Sequence, residues 1–182
     1  DTGLHTMMVL QQATRLSADT DVRFAALLHD LGKGTTPEAD WPRHIGHEKR
    51  GLKQVDAVCK RLKVPTRHRD LARKVCEYHA HCHRALELRG ETILKLLNAT
   101  DALRNPDRFE AFLFACEADA RGRTGLGERD YPQADYLRGA LAIAQSVTAA
   151  QFQEQGLSGK DLGDAIRTER IARLEDNRPS RN

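Results

Sequence analysis

Aromatic residues are scarce, at 5% of 182 residues, too few for an extended surface on which single-stranded nucleic acid could stack. The longest apolar runs, such as 111–116, are six residues, far short of the roughly 20 needed to cross a bilayer, so no membrane partner is expected. The four cysteines, Cys59, Cys76, Cys82 and Cys116, contain no CxxC pair, which speaks against a zinc ribbon or a disulfide framework. No charged-then-apolar leader opens the chain, so a signal peptide is not expected. The opening Asp1 in place of Met is what a cut piece of a longer protein gives. A dominant charge is missing as well: 29 basic against 26 acidic residues leave a net +3, which by itself announces no polyanionic partner. A soluble, cytoplasmic piece is the expectation.

What is present suits one globular domain with a short extension. Hydrophobic residues make up 40% and charged residues 30%. Apolar positions recur three and four apart, as in Leu52, Val55, Cys59 and Leu62, and predict helices over 6–16, 22–31, 46–62, 67–81, 91–103, 108–120, 133–149 and 160–174. Glycine and proline fall between them, and no stretch alternates long enough to read as a strand. The fold class is therefore all-α. A soft boundary near Pro106, or at the glycine-rich loop 121–128, separates a front part from a helical C-terminal part, and the division adopted is a first domain, 1–105, and a helical extension, 106–182. From Glu48 to Lys74 ten basic residues face only three acidic ones, a stripe that includes Lys53, Lys60 and Arg61. Such a stripe is either an RNA-binding face or a pair of solvated helix faces.

Three apolar stripes run into titratable residues. Val22, Ala25 and Ala26 lead to His29; Leu94 and Leu97 lead to Asp101; Leu71, Ala72 and Val75 lead to His79. A carboxylate or imidazole buried at such a position needs a partner. With His5 and Asp30 these residues form a His/Asp set of the kind that suits a first-row divalent ion. Gly32 and Gly34 place His29 and Asp30 in the last turn of their helix, where neighbours can share or bridge metal ions. Cys76, His79, Cys82 and His83 could be drawn as a zinc site, but four residues on one helix cannot close a tetrahedron. His81 and His83 are expected to be exposed.

His5-Thr6, then Leu27-Leu28-His29-Asp30-Leu31-Gly32-Lys33, Gly46-His47-Glu48 and finally Asp101 resemble the H…HD…D signature of the HD superfamily of metal-dependent phosphohydrolases. The opening residues 3–10, the segment Trp41-Pro42-Arg43-His44-Ile45-Gly46-His47-Glu48 and Glu117-Ala118-Asp119-Ala120-Arg121-Gly122-Arg123 resemble the C-terminal portion of bacterial CCA-adding enzymes (tRNA nucleotidyltransferases) of the multifunctional type. The resemblance covers essentially the whole chain. It implies an HD-domain helical bundle with additional C-terminal helices, and a nucleotidyltransferase head that would precede residue 1, so CTP or ATP addition is not expected here.

The same resemblance implies a ligand set of His5, His29, Asp30 and Asp101, with His47 and His79 at the places of extra histidines that would hold a second ion. The cofactor is then one or two divalent ions: Ni, Mn, Co or Mg. It implies 2′,3′-cyclic phosphodiesterase, 2′-nucleotidase and phosphatase activity on tRNA 3′ ends or nucleotides. His29 and Asp30 lie at the reacting centre, Lys33 meets a phosphate oxygen or complements a helix end, and Glu48 orients a ligand, carries a proton or is a first-turn helix acid. Arg121 and Arg123 join Lys53, Lys60 and Arg61 as RNA-binding candidates, with pairing to Glu117 or Asp119 as the structural alternative. The competing function is a non-catalytic body that positions tRNA or forms a homodimer.

Overall fold

Helix α2 (Thr20–Leu28) is short and lined with small residues on its inner face, where Val22, Ala25 and Ala26 are fully buried. That face lies against α4 (Thr66–His83), whose Leu71, Ala72 and Val75 recur at the same helical period. Alanine at both contact surfaces lets the helices approach closely and leaves little void. The computed structural model describes residues 2–180, and among these no strand occurs. The chain is all-α, as the periodicity predicts.

Around the α2–α4 pair the other helices follow from their apolar faces. Helix α1 (Thr2–Leu16) packs on α2 and on α6 (Pro106–Arg121); α3 (His47–Arg61) packs on α4 and on a 3-10 segment, Leu31–Thr35. Helix α6 brings the largest apolar load, with Phe109, Phe112 and Leu113 at 1% exposure or less. Each such side chain contributes roughly 1.5–3 kcal/mol by leaving water. Helices α5 (Gly90–Ala99), α7 (Pro132–Ser146), α8 (Ala150–Gln153) and α9 (Gly159–Asp176) complete the structure, with α9 set against α5, α7 and α8.

Two helices end earlier than their apolar stripes suggest. α2 stops at Leu28, and His29 follows as a capping residue that still has helical backbone angles. α5 stops at Ala99, and Asp101 has turned into the left-handed region at φ 59°. The Leu94–Leu97 stripe therefore does not continue to Asp101, because the helix that would carry it has already closed. Helix α6, which begins at Pro106, packs on α1, α2 and α4.

One buried carboxylate ties these helices together. Asp21, at the start of α2, accepts from its neighbour's Val22 N–H at 3.0 Å and from Arg67 Nε of α4 at 2.8 Å. It also accepts from Arg108 of α6, which in turn donates to the Arg67 carbonyl at 2.8 Å. Burial favours the neutral acid, but the two guanidinium groups outweigh it and hold the carboxyl below its ordinary 3.8. Its stabilisation is therefore complete above that value and is lost as pH falls through it towards the lower folded-state pKa. Asp21→Asn should cost on the order of 2 kcal/mol in denaturant unfolding at neutral pH. The gap to wild type should narrow below about pH 3.8, whereas a constant gap would contradict the clamp.

Candidate metal centre

Just past the C-terminal end of α2, side chains from α1, α3, α4 and α6 reach one point. Four imidazoles and two carboxylates meet there: His5, His29, His47, His79, Asp30 and Asp119. His29, Asp30, His79 and Asp119 are all 5% exposed or less. His5 and His47 are partly buried at the rim.

Every one of these imidazoles is anchored in the same way. Nδ1 of His5 donates to the Gly122 carbonyl at 2.9 Å, His29 to Ala26 at 2.7 Å, His47 to His44 at 3.0 Å and His79 to Val75 at 2.9 Å. A carbonyl oxygen can only accept, so the proton belongs on Nδ1 and the neutral ring offers its lone pair at Nε2. All of the Nε2 atoms turn inward. Nε2 of His5 and of His29 is buried and makes no hydrogen bond, although Asp119 Oδ1 lies 3.0 and 3.5 Å away.

The donors divide into two groups, each with atoms within 4.8 Å of one another: His5, His29 and Asp119, and Asp30, His47 and His79. Asp30 stands between them. Its Oδ2 is 3.2 Å from His29 Nε2 and 3.8 Å from His5 Nε2, while Oδ1 is 3.2 Å from His47 Nε2 and 3.7 Å from His79 Nε2. Imidazole nitrogen mixed with carboxylate oxygen suits first-row divalent ions better than magnesium, which prefers an all-oxygen shell. Orphaned, inward-facing Nε2 atoms beside two carboxylates fit such an ion. The identity of the metal is left open by this donor set.

The electrostatics agree with a cation at this point. Burial alone would raise both carboxyls, yet the surrounding imidazoles, with Lys33 beside Asp30, hold Asp30 and Asp119 well below the usual carboxylate range. Burial disfavours a charged His29, but Asp119 and Asp30 overcome it and raise that imidazole to about 10. His79, 5.4 Å from His29 between ring centres, moves the other way to about 4, through burial and the positive charge on His29. Without an ion the two carboxylates hold a proton on His29, and a bound cation would take that proton's place at Nε2.

Two glycines make the convergence geometrically attainable. A Cβ on Gly32 would lie 1.9 Å from the His47 carbonyl oxygen, so only glycine lets the chain after Asp30 touch the start of α3. A Cβ on Gly122 would lie 2.3 Å from a Val9 methyl, so the end of α6 can approach α1 and receive His5. Asp119, one turn before Gly122, is held at its second oxygen by His83 Nε2 at 2.7 Å. Tyr131 O–H in turn lies 2.8 Å from His83 Nδ1.

Asp101 is not brought to this cluster. Its carboxylate is taken up locally, by Arg104 Nε at 2.6 Å and by the Asn105 amide, and it lines a separate cavity with Leu97, Asn98 and Arg170. Asp119 is the second carboxylate of the cluster, and the sequence reading missed its role. The signal was there, since Phe109, Phe112, Cys116 and Asp119 lie on one buried stripe of α6. His83 was expected to be exposed; it is partly buried because Asp119 and Tyr131 hold both ring nitrogens. Cys76 and Cys82 remain in the core, outside both donor groups, and burial pushes the Cys76 thiol up to about 12.

The remaining candidates distribute as follows. Lys33 Nζ donates to Asp30 Oδ2 at 2.5 Å, and Glu48 Oε2 lies 3.5 Å from His47 Nδ1. Arg123 lines a cavity of about 280 Å³ with His5 and Lys33. Arg121 is held within the chain by Glu117 at 2.8 Å and by the Arg129 carbonyl at 2.9 Å, the structural alternative noted above. Lys53, Lys60 and Arg61 are exposed on α3; Lys60 faces a cavity of about 650 Å³ with Lys63, Arg69 and Arg73, and Lys53 faces another with Lys49 and Arg50. None of these three lies in the cluster.

The HD domain family model matches residues 2–106. Multifunctional CCA proteins of Hahella chejuensis, Thioalkalivibrio sulfidiphilus and Pseudomonas aeruginosa are 52%, 55% and 55% identical over 98%, 96% and 96% of this chain. The chain spans 43% of the length of each of those relatives. No solved structure matches. Asp119 lies beyond the matched segment, on the helix that follows it.

The geometry separates the two aspartates experimentally. Asp119→Asn should lower manganese or nickel affinity by at least the roughly 10–100-fold typical of lost supporting groups at metal sites. Asp101→Asn should retain wild-type metal content after dialysis, read by elemental analysis. Equal metal loss in both variants would contradict this ligand set.

Proposed function

Because the chain belongs to the HD domain family, we propose that it is a metal-dependent phosphoester hydrolase acting on tRNA 3′ ends or on nucleotides. The observation that carries the reading is the convergence of inward-facing Nε2 atoms on His5, His29, His47 and His79 with Asp30 and Asp119. A scaffold has no need to bury such a set, since each buried polar group without a partner costs stability.

His5, His29 and Asp119 would hold one ion and Asp30, His47 and His79 a second, with Asp30 placed to touch both. A bound divalent ion supplies Lewis acidity towards a phosphoryl oxygen and acidifies a water molecule. The residues of the chain do the rest. The cavity between His5, Lys33 and Arg123 admits a phosphate group. Arg123 offers it a planar pair of donors and Lys33 a point charge, and both oppose the negative charge that builds up on phosphoryl oxygens. Glu48, beside His47 Nδ1, steadies that ring and stands close enough to receive a proton at the rim.

The substrate class rests on the relatives. They are named multifunctional CCA proteins, and this chain matches less than half of their length. We infer that it operates beside a nucleotidyltransferase head, opening 2′,3′-cyclic phosphates or removing 2′-phosphates so that a hydroxyl is restored at the tRNA end. A body that positions tRNA or forms a homodimer is the second reading, favoured by the exposed cationic cavity around Lys60, Lys63, Arg69 and Arg73.

After chelator treatment and reloading with Ni, Mn, Co or Mg, the chain should hydrolyse 2′,3′-cyclic AMP or 2′-AMP. Asp30→Asn should reduce turnover by about 100-fold or more while helix content is kept, since a ligand and a bridging charge are lost together. Absence of turnover with every metal, in folded protein, would overturn the hydrolase reading in favour of the tRNA-positioning body.

A further inference from the structure

The loop between α6 and α7 presents two guanidinium groups that nothing in the fold uses. Arg123 and Arg129 are exposed, and neither side chain makes an ion pair among the described residues, whereas Arg121, the last residue of α6, is held by Glu117 and by the Arg129 carbonyl. Arg123 lines the cavity that opens on His5 and Lys33. It also lines a second cavity of about 230 Å³, together with Arg129, His83, Tyr131 and Gln133. His83 holds Asp119, so this second cavity adjoins the cluster on its Asp119 side.

Gln133 adds a group of the opposite kind. Its Nε2 donates to the His83 carbonyl at 3.1 Å, and because that carbonyl can only accept, the orientation of the amide is fixed. Gln133 Oε1 is then an acceptor, and it is buried with no hydrogen-bond partner. A buried acceptor left without a donor is costly unless a ligand supplies one. The second cavity thus combines two forked cations with one unsatisfied acceptor. A phosphate matches the guanidinium groups, and an adjacent hydroxyl matches the amide oxygen.

We propose that this cavity is a subsite for the ribonucleotide preceding the reacting phosphoester, with Arg129 taking its phosphate, Arg123 standing between that phosphate and the reacting one, and Gln133 Oε1 taking its 2′-hydroxyl. The inference rests on the phosphohydrolase reading for the identity of the neighbouring site, and it deepens that reading by selecting the end of an RNA strand over a free mononucleotide. A 2′-hydroxyl contact also separates RNA from DNA at this position.

Calorimetric binding in the presence of manganese tests it, with 3′-AMP, the 3′-phosphorylated dinucleotide ApAp, and ApAp with deoxyribose in its first nucleotide. The wild-type chain should bind ApAp at least about 10-fold more tightly than 3′-AMP, the scale of one charge-assisted contact. Arg129→Ala should reduce that preference several-fold, and the deoxy analogue should bind several-fold more weakly than ApAp. The substitution leaves untouched the Arg129 carbonyl that Arg121 holds, and helix content by circular dichroism checks the fold. Equal wild-type binding of ApAp and 3′-AMP, or a preference undiminished by Arg129→Ala, would overturn the subsite; equal binding of the deoxy analogue would overturn the role of Gln133. Turnover of 2′,3′-cyclic AMP is measured separately, so that a failed hydrolase reading and a failed subsite give different results.

Discussion

A histidine ring can present either nitrogen to a ligand, and in this fold the choice is made by the backbone. His5, His29, His47 and His79 each place Nδ1 against a carbonyl oxygen, three of them within their own stretch of chain and His5 across to Gly122. The remaining lone pairs at Nε2 share one small volume with Asp30 and Asp119. Four rings pointed inward without this constraint would rotate independently. With it they form a donor set fixed before any cation arrives, so less rearrangement accompanies binding.

The helical frame exists at the right spacing because different forces act at its two ends. At the start of α2 the Asp21 carboxylate joins Arg67 of α4 and Arg108 of α6. At the far end of α2, His29 and Asp30 meet His79 of α4 and Asp119 of α6. The apolar layer between them, with Val22, Ala25, Ala26, Ala72 and Val75, is fully buried and keeps these helices in register. Buried charge is thus placed at the ends of a dry core, where opposite charges compensate it.

Much of this was legible in the sequence, and the physical reason for the remainder is specific. Helical periodicity identified the helices because their apolar faces are continuous, and the stripes through His29 and His79 end at buried imidazoles as expected. The stripe through Asp101 misled because α5 closes at Ala99, and a pattern carried past a helix end no longer describes a face. Asp119 lies on an equally clear stripe of α6, but it belongs to a helix beyond the segment in which the other donors are found. Only the approach of α6 to α1, permitted at Gly122, reveals the connection. The close contact of Gly32 with the His47 carbonyl is likewise a tertiary fact that no periodicity encodes.

The most direct test of this account is nitrogen NMR of the chain labelled at its histidine rings, recorded with chelator and again after adding diamagnetic zinc. Zinc should shift the Nε2 resonances of His5 and His29, and those of His47 and His79 as the second group fills, while Nδ1 of each ring stays protonated. Unchanged spectra for these four rings, or a response confined to Nδ1, would contradict the claim that the backbone carbonyls orient them towards a metal ion.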